Sequence, residues 1–260
     1  MSKIKIPSSY DILGDILIIE IPSKLKNQKQ IANNLLKIHK NIKTIVKKSG
    51  IHKGKYRLQK YTFLAGKRNK ETEYKENGIK LKLNIEKAYF SPRLATERLR
   101  IAKQVKKSEE ILIMFSGIAP YPLVIAKNSE PKEIYGIEIN PSAHKYALEN
   151  LKLNKLKNIN LIKGDVKTIL PKTKKKFDRI AMPLPKGAED YLELALKSIK
   201  HKGILHFYDF QEEKDIPHRS IEKISKACKQ QKKKFKILKI VKCGQYSPRK
   251  YRICVDVKIS

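Results

Sequence analysis

From Ile111 to the C-terminus the chain alternates short apolar runs with stretches of helical periodicity, and this alternation restricts its fold more than any other feature. Ile111-Leu-Ile-Met-Phe115 reads as a buried strand, and Ser116-Gly-Ile-Ala-Pro120 as a loop opening a helix through Leu123 to Lys127. Strands are expected at Ile134 to Ile139, Ile159 to Lys163 and Arg179 to Leu184, with helices from Pro141 to Leu151 and from Ala188 to Ile199. A strand from Gly203 to Phe210 and a basic helix from Ile216 to Lys232 follow, and Phe235 to Cys243 with Tyr251 to Ile259 reads as a terminal antiparallel pair. Repeated strand–helix units imply an α/β fold with a doubly wound, Rossmann-like parallel sheet and a ligand at the carboxyl ends of its strands.

The first third reads differently. Ile12-Leu13 and Ile16-Leu-Ile-Ile19 are split by Gly14-Asp15, which suggests a hairpin turn or a bulge. Ile31, Leu35, Leu36 and Ile38 recur at helical spacing, Ile42 to Val46 reads as a strand, and Asn77-Gly78 as a second hairpin turn. A smaller N-terminal α+β domain with an antiparallel sheet is therefore expected over residues 1–91, ahead of the larger domain at 92–260. The alternation of Ile79, Leu81, Leu83 and Ile85 leads to Tyr89 and Phe90 as a strand end. Pro92 then suits a first helical turn capped by Ser91. Glu97 follows among Arg93, Arg98 and Arg100, and reads either as a structural ion pair or as a base held in place.

Charge narrows the partner. Lys+Arg at 59 against Asp+Glu at 25 gives a formal charge of +34, spread along the chain, which argues for a polyanion. No apolar run approaches the roughly 18 residues of a spanning helix, and Met1-Ser-Lys-Ile-Lys5 lacks a signal-peptide core, so a cytoplasmic protein with no membrane partner is expected. Cys228, Cys243 and Cys254 are widely spaced, with no Cys-x-x-Cys and no His pair nearby, and read as buried or free thiols and not metal ligands.

A cofactor site is legible at the strand ends. Glu138 closes the second strand of the larger domain, where a carboxylate can accept both hydroxyls of a ribose, and the backbone N–H groups of Ser116 to Ala119 can approach the ligand closely. Asp165 ends the third strand, in reach of an adenine amino group. Taken one at a time, such acids often only cap the next helix. Together they match the arrangement of Rossmann-like S-adenosylmethionine methyltransferases, and the three-glycine dinucleotide fingerprint is absent.

Tyr89-Phe-Ser-Pro-Arg-Leu-Ala-Thr-Glu-Arg98, Gly54-Lys-Tyr-Arg57, Phe63-Leu-Ala-Gly66, Lys75-Glu-Asn-Gly78, Glu138-Ile-Asn-Pro141 and Gln245-Tyr-Ser-Pro-Arg249 stand in one order along nearly the whole chain. In these motifs the chain resembles the archaeal and eukaryotic tRNA (guanine-37, N-1) methyltransferases. The resemblance implies S-adenosylmethionine as cofactor, the tRNA anticodon stem-loop as partner and guanosine 37 as acceptor, with no role for DNA and a monomeric enzyme. It makes Glu97 the general base, Arg57 the stabiliser of charge developing on the guanine oxygen, and Tyr89 the residue that orients the base. It assigns Phe115, Ser116, Gly117, Ile118, Glu138, Asn140, Asp165, Val166 and Pro183 to the cofactor, and Arg98, Pro185 and Arg249 to the RNA. Arg98 would steady Glu97 or meet a phosphate; for Arg249 an internal salt bridge stands beside a phosphate contact. His206 and Tyr208, at the end of the fifth strand, read as packing.

The chain also departs from the family pattern. Ile113 and Ala119 replace an acid and a glycine of the first loop, and Met182-Pro183-Leu-Pro185 stands where the family has Asn-Leu-Pro. Many archaeal members carry a further N-terminal domain, and a chain that begins with the second domain is expected to discriminate less between full tRNA and its anticodon stem-loop. Three readings stay open: the guanosine methyltransferase, including a variant that also methylates a wyosine precursor; a transferase of the cofactor's aminocarboxypropyl group; and a tRNA-binding protein with a decayed cofactor site.

Overall fold

Gly14-Asp15 turns the chain between β1 (Tyr10–Leu13) and β2 (Ile16–Ile19), which pair antiparallel with Leu13 opposite Ile16, so the break is a hairpin and not a bulge. The computed structural model describes residues 10–22, 25–184 and 186–260, with the side chains of 51–53 outside that description. Helix α1 (Gln28–Ile38) crosses over, and β3 (Thr44–Lys53) therefore runs parallel to β2, with Ile16 opposite Thr44. The expected antiparallel sheet is thus mixed, because a crossover helix returns the chain to the starting end of the sheet. β4 (Leu58–Gly66) closes the order β1-β2-β3-β4, and α1 packs Ile31, Ala32 and Leu35 against Leu17, Ile19, Ile45 and Leu64. Ile38, although at helical spacing, is exposed.

β5 (Glu71–Glu76) and β6 (Ile79–Asn84) form a separate hairpin. Its turn residues Asn77 (φ 44°) and Gly78 (φ 79°) are both in the left-handed region, as a type I′ turn requires. The Asp15 N–H donates to Thr72 Oγ1 at 3.1 Å and the Thr72 hydroxyl donates back to Asp15 Oδ1 at 2.6 Å, tying this hairpin to the first. Strand β6 stops at Asn84, whose side chain accepts the Glu86 N–H at 3.0 Å while its carbonyl accepts those of Lys87 and Ala88. Tyr89 and Phe90 consequently lie beyond the strand they were expected to end, with the Phe90 ring centroid 5.4 Å from that of Tyr74.

The backbone divides into two compact units, Met1–Pro92 and Arg93–Ser260. Pro92 opens a short 3-10 turn before α2 (Ala95–Ala102), whose own cap position is Leu94, without a side-chain cap. The second unit then runs β7 (Glu110–Met114), α3 (Pro120–Asn128), β8 (Glu133–Glu138), α4 (Pro141–Asn154), β9 (Ile159–Lys163), α5 (Val166–Thr173), β10 (Phe177–Met182), α6 (Leu192–Ser198), β11 (Ile199–Glu212), α7 (His218–Gln230), β12 (Phe235–Ser247) and β13 (Lys250–Ile259). Its seven strands are ordered β12-β13-β11-β10-β7-β8-β9, parallel from β11 to β9, with β13 antiparallel between β11 and β12. Strand order reverses between β7 and β10, which puts the ligand crevice of a doubly wound sheet at their carboxyl ends. Leu112, Met114, Ile180, Met182, Phe207 and Val255 bury the sheet.

Strand β12 is the free edge of this sheet, bent by three register irregularities and carrying exposed Leu238, Ile240 and Tyr246 among Lys236, Lys239 and Lys242. All three cysteines are free thiols. Among the described residues no helix is long and apolar enough to cross a membrane.

Candidate active site

The loop from β7 to α3 is built on backbone that favours glycine. Phe115, Gly117 and Ala119 have φ of 60°, 59° and 67°, and α3 opens at Pro120 with Ala119 as its cap residue. The loop lies close on β8, where a Cβ on Gly136 would come within 3.0 Å of Ser116 Cβ and Oγ, so only glycine leaves room. Ala119 fits sterically and is fully buried, but a non-glycine residue in this conformation costs about 1 kcal/mol. Ala119→Gly should therefore raise the thermal unfolding midpoint by a few degrees; a lower midpoint would contradict the strain.

Glu138, 8% exposed at the end of β8, accepts the Gly117 N–H at Oε2 and the Asn140 N–H at Oε1, both at 2.7 Å. Burial pushes its pKa up, against the pull of these backbone bonds. A carboxylate has about four acceptor sites, so capacity remains for hydroxyl donors. The Ser116 hydroxyl beside it is buried with no hydrogen-bond partner. A desolvated carboxylate, an orphaned hydroxyl and a loop of backbone N–H groups at the switch point fit an adenosine-bearing cofactor.

The other residues assigned to the cofactor divide by role. Asn140 and Asp165 are the N-caps of α4 and α5, accepting the N–H of Ser142 at 3.0 Å and of Lys167 at 2.9 Å. Ile118 and Val166 are buried, Val166 in the central core. Pro183 follows β10 in a turn closed by Leu184 N–H to Met182 O at 2.7 Å, and Pro185 lies outside the described residues. Phe115 packs edge-on against Tyr191 at 4.8 Å, a neighbour with no motif to announce it. Ile113, where the family has an acid, is fully buried in β7 between Gly136 and Ala181.

Glu97 lies in a buried polar network. It is 5% exposed, and the guanidinium that forks it is that of Arg100, one helical turn on, with Nε to Oε2 at 2.7 Å and Nη2 to Oε1 at 2.8 Å. The Tyr208 hydroxyl donates to Oε1 at 2.6 Å and itself accepts from the Tyr121 hydroxyl at 3.1 Å. Arg100 also reaches both oxygens of Asp256, which accepts His206 Nδ1–H at 2.6 Å. Arg98, expected to steady Glu97 or meet a phosphate, is 1% exposed, with its guanidinium 6.0 Å from the Tyr121 ring centroid. His206 and Tyr208, read as packing, are hydrogen-bonded members of this network.

Charges here are fixed by their partners. Burial opposes ionisation of Asp256, yet the His206 and Arg100 hydrogen bonds hold it well below the usual carboxylate range. Burial keeps His206 neutral at neutral pH, its pKa lowered from the ordinary 6.5. Because Arg179 Nη1 can only donate, the 2.8 Å contact makes His206 Nε2 the acceptor and Nδ1 the protonated nitrogen. A histidine with a depressed folded pKa stabilises the fold above pH 6.5 and loses that contribution as acid protonates the unfolded chain first. The unfolding midpoint should fall between about pH 7 and pH 5, and His206→Gln should flatten the decline; a wild-type midpoint constant over that range would refute this.

In the first unit, Arg57 (φ 53°) closes the β3–β4 turn through its N–H to Gly54 O at 3.0 Å, and its guanidinium lies 5.2 Å from the Tyr89 ring centroid. These two sequence-distant candidates are thus brought together. Arg249 is exposed in the β12–β13 turn with φ 57°, and its carbonyl accepts the Glu213 N–H at 2.8 Å.

Fold and site define a doubly wound domain of the class that holds an adenosine-bearing cofactor at its switch point. The chain belongs to the TRM5/TYW2 methyltransferase family: that domain matches residues 72–238, and the TYW2 N-terminal domain matches residues 2–69. It is 40% identical over 256 residues to the tRNA (guanine(37)-N(1))-methyltransferase Trm5b of Pyrococcus abyssi, covering 98% of this chain and 76% of the relative. The crystal structure of that Trm5b is similar with a TM-score of 0.89 over the same shares of both chains. The Taw22 of Nanoarchaeum equitans, a tRNA (guanine(37)-N(1))/4-demethylwyosine(37)-methyltransferase, is 36% identical over 96% of this chain and 99% of its own. Trm5 of Methanocaldococcus jannaschii, solved in complex with adenosine, is 32% identical with a TM-score of 0.83, covering 98% of this chain and 72% of that one.

Proposed function

We propose that the protein is an S-adenosylmethionine-dependent tRNA methyltransferase that modifies ring nitrogen 1 of guanosine 37, acting on the anticodon arm as a cytoplasmic monomer. The observation that carries the reading is the Glu97 carboxylate, desolvated and forked by Arg100, in a unit whose Glu138 crevice suits an adenosine-bearing cofactor. A formal charge of +34 suits a polyanionic substrate, whose binding should weaken steeply with salt.

When bound, S-adenosylmethionine supplies an electrophilic methyl group. Glu138 would hold its ribose, with the Ser116–Ala119 backbone close by, and Asp165 its adenine amino group. The ring N–H of guanine is a weak acid at neutral pH, so methylation there needs a base at the nitrogen and a cation at the oxygen that gains charge. Glu97 takes the proton, Arg57 stabilises the charge moving onto the oxygen, and Tyr89 orients the base. Extruding that base from its stack costs a few kcal/mol, which contacts to the flipped base offset. Arg249, exposed in its turn, meets the RNA backbone in this proposal.

A second reading, methylation of 4-demethylwyosine at the same position as well, is favoured by the likeness to Taw22 along 99% of that relative and by Pro183 standing in place of an amide. Mass analysis of nucleosides from unmodified tRNA, and from tRNA carrying 4-demethylwyosine, each incubated with the protein and S-adenosylmethionine, tests both. Methylguanosine supports the first reading and a methylated tricycle adds the second. An aminocarboxypropyl product, or no addition at all, would overturn the proposal.

A further inference from the structure

The buried network around Glu97 extends well past the groups a proton acceptor needs. One guanidinium, that of Arg100, is shared between two carboxylates, Glu97 on its own helix and Asp256 on β13. Asp256 is saturated with donors: besides Arg100 it accepts His206 Nδ1–H at 2.6 Å, Cys254 Sγ–H at 3.3 Å and Gln104 Nε2–H at 3.2 Å. It therefore remains an ionised counter-charge and takes no proton itself. The Tyr208 hydroxyl, held by Tyr121, donates to the same Glu97 oxygen as Arg100 Nη2.

We propose that Asp256 and Tyr208 are positioning residues that set the proton affinity of Glu97 in opposite senses. The proposal rests on the reading of Glu97 as general base. Asp256 competes for the Arg100 charge that stabilises the Glu97 carboxylate, whereas the Tyr208 hydrogen bond adds to that stabilisation. The remaining groups around Glu97 do not change charge near neutral pH. On α2, Arg98 and Arg100 are cations; on α3, Tyr121 stays protonated through burial. On β10, Arg179 is paired with Glu109 at 2.7 Å, and on β11 His206 is neutral. Burial likewise keeps Cys243 on β12 and Cys254 on β13 as thiols.

The test reads the Glu97 titration directly, by 13C NMR of carboxyl-labelled glutamates in the full chain, with the Glu97 signal assigned by its loss in Glu97→Gln. Asp256→Asn should lower the midpoint and Tyr208→Phe raise it, each by about one pH unit. Asp256→Asn should also slow single-turnover methyl transfer to unmodified tRNA at pH 7. Midpoints that stay put, or move the same way in both variants, would leave these residues a purely structural role and overturn the inference. If Asp256→Asn does not fold, Tyr208→Phe, which removes one hydroxyl, decides by its upward shift alone. The titration needs no substrate, so it is separable from the catalytic reading: Glu97→Gln with a near-normal single-turnover rate removes the base role whatever the midpoints do.

Discussion

Glu97→Gln should lower the single-turnover rate of methyl transfer by about a hundredfold or more, the range in which a positioned general base contributes. The substitution keeps the shape of the side chain and removes its capacity to take a proton. Its amide would also turn two N–H donors into a site where Arg100 and Tyr208 both donate, so one of those contacts must be lost. Cofactor binding should survive, because Glu138 and its loop are held by backbone bonds that do not involve α2. The informative measurement is a single turnover at saturating tRNA and S-adenosylmethionine, with thermal unfolding as a control for folding. A rate within a few fold of wild type in a folded variant would remove Glu97 from the chemistry.

Gly14→Ala should destabilise the first unit by about 3 kcal/mol, enough to move its unfolding midpoint by on the order of 10 °C. Gly14 has φ 57°, which any L side chain adopts only at a cost of roughly 1–2 kcal/mol. The larger part is steric: a Cβ there would sit 2.2 Å from Thr72 Oγ1 and 2.3 Å from the Glu73 carbonyl oxygen. One of those atoms belongs to backbone in a paired hairpin and cannot swing aside, so the two hairpins must separate and the Asp15–Thr72 hydrogen bonds go with them. Thermal unfolding of the full chain measures it, and an unchanged first transition would show that the hairpins have room to part.

How much of this could be read from the residues depends on how far apart the partners lie. Asn77-Gly78 and Gly14-Asp15 carry their turns in their own backbone preferences, and the β7 to β11 alternation carries the sheet. Helix α5 escaped notice because it is eight residues long, contains Pro171 and runs into a lysine cluster. The parallel pairing of β2 with β3 followed from the crossover that α1 makes, and the extended look of Tyr89 and Phe90 was undone by a local turn at Asn84. Glu97 stood out among its arginines, but which arginine held it did not. Spacing offered the one usable signal, since a residue three positions on shares a helical face and the next residue does not. Tyr208 and Asp256 had no such signal: the hydroxyl that reaches Glu97 is 111 positions away, and His206 is 50 positions from Asp256.

The outermost strand of the large sheet has a consequence of its own. A strand thirteen residues long that is paired along one side only, with leucine, isoleucine and tyrosine in view, is ordinarily an invitation for another copy to zip alongside. Here its kinks break the row of backbone groups that a newcomer would have to match, and a lysine at every third place repels a like-charged twin. The cationic surplus that suits a polyanionic partner thus also opposes the pairing of this edge with a second copy.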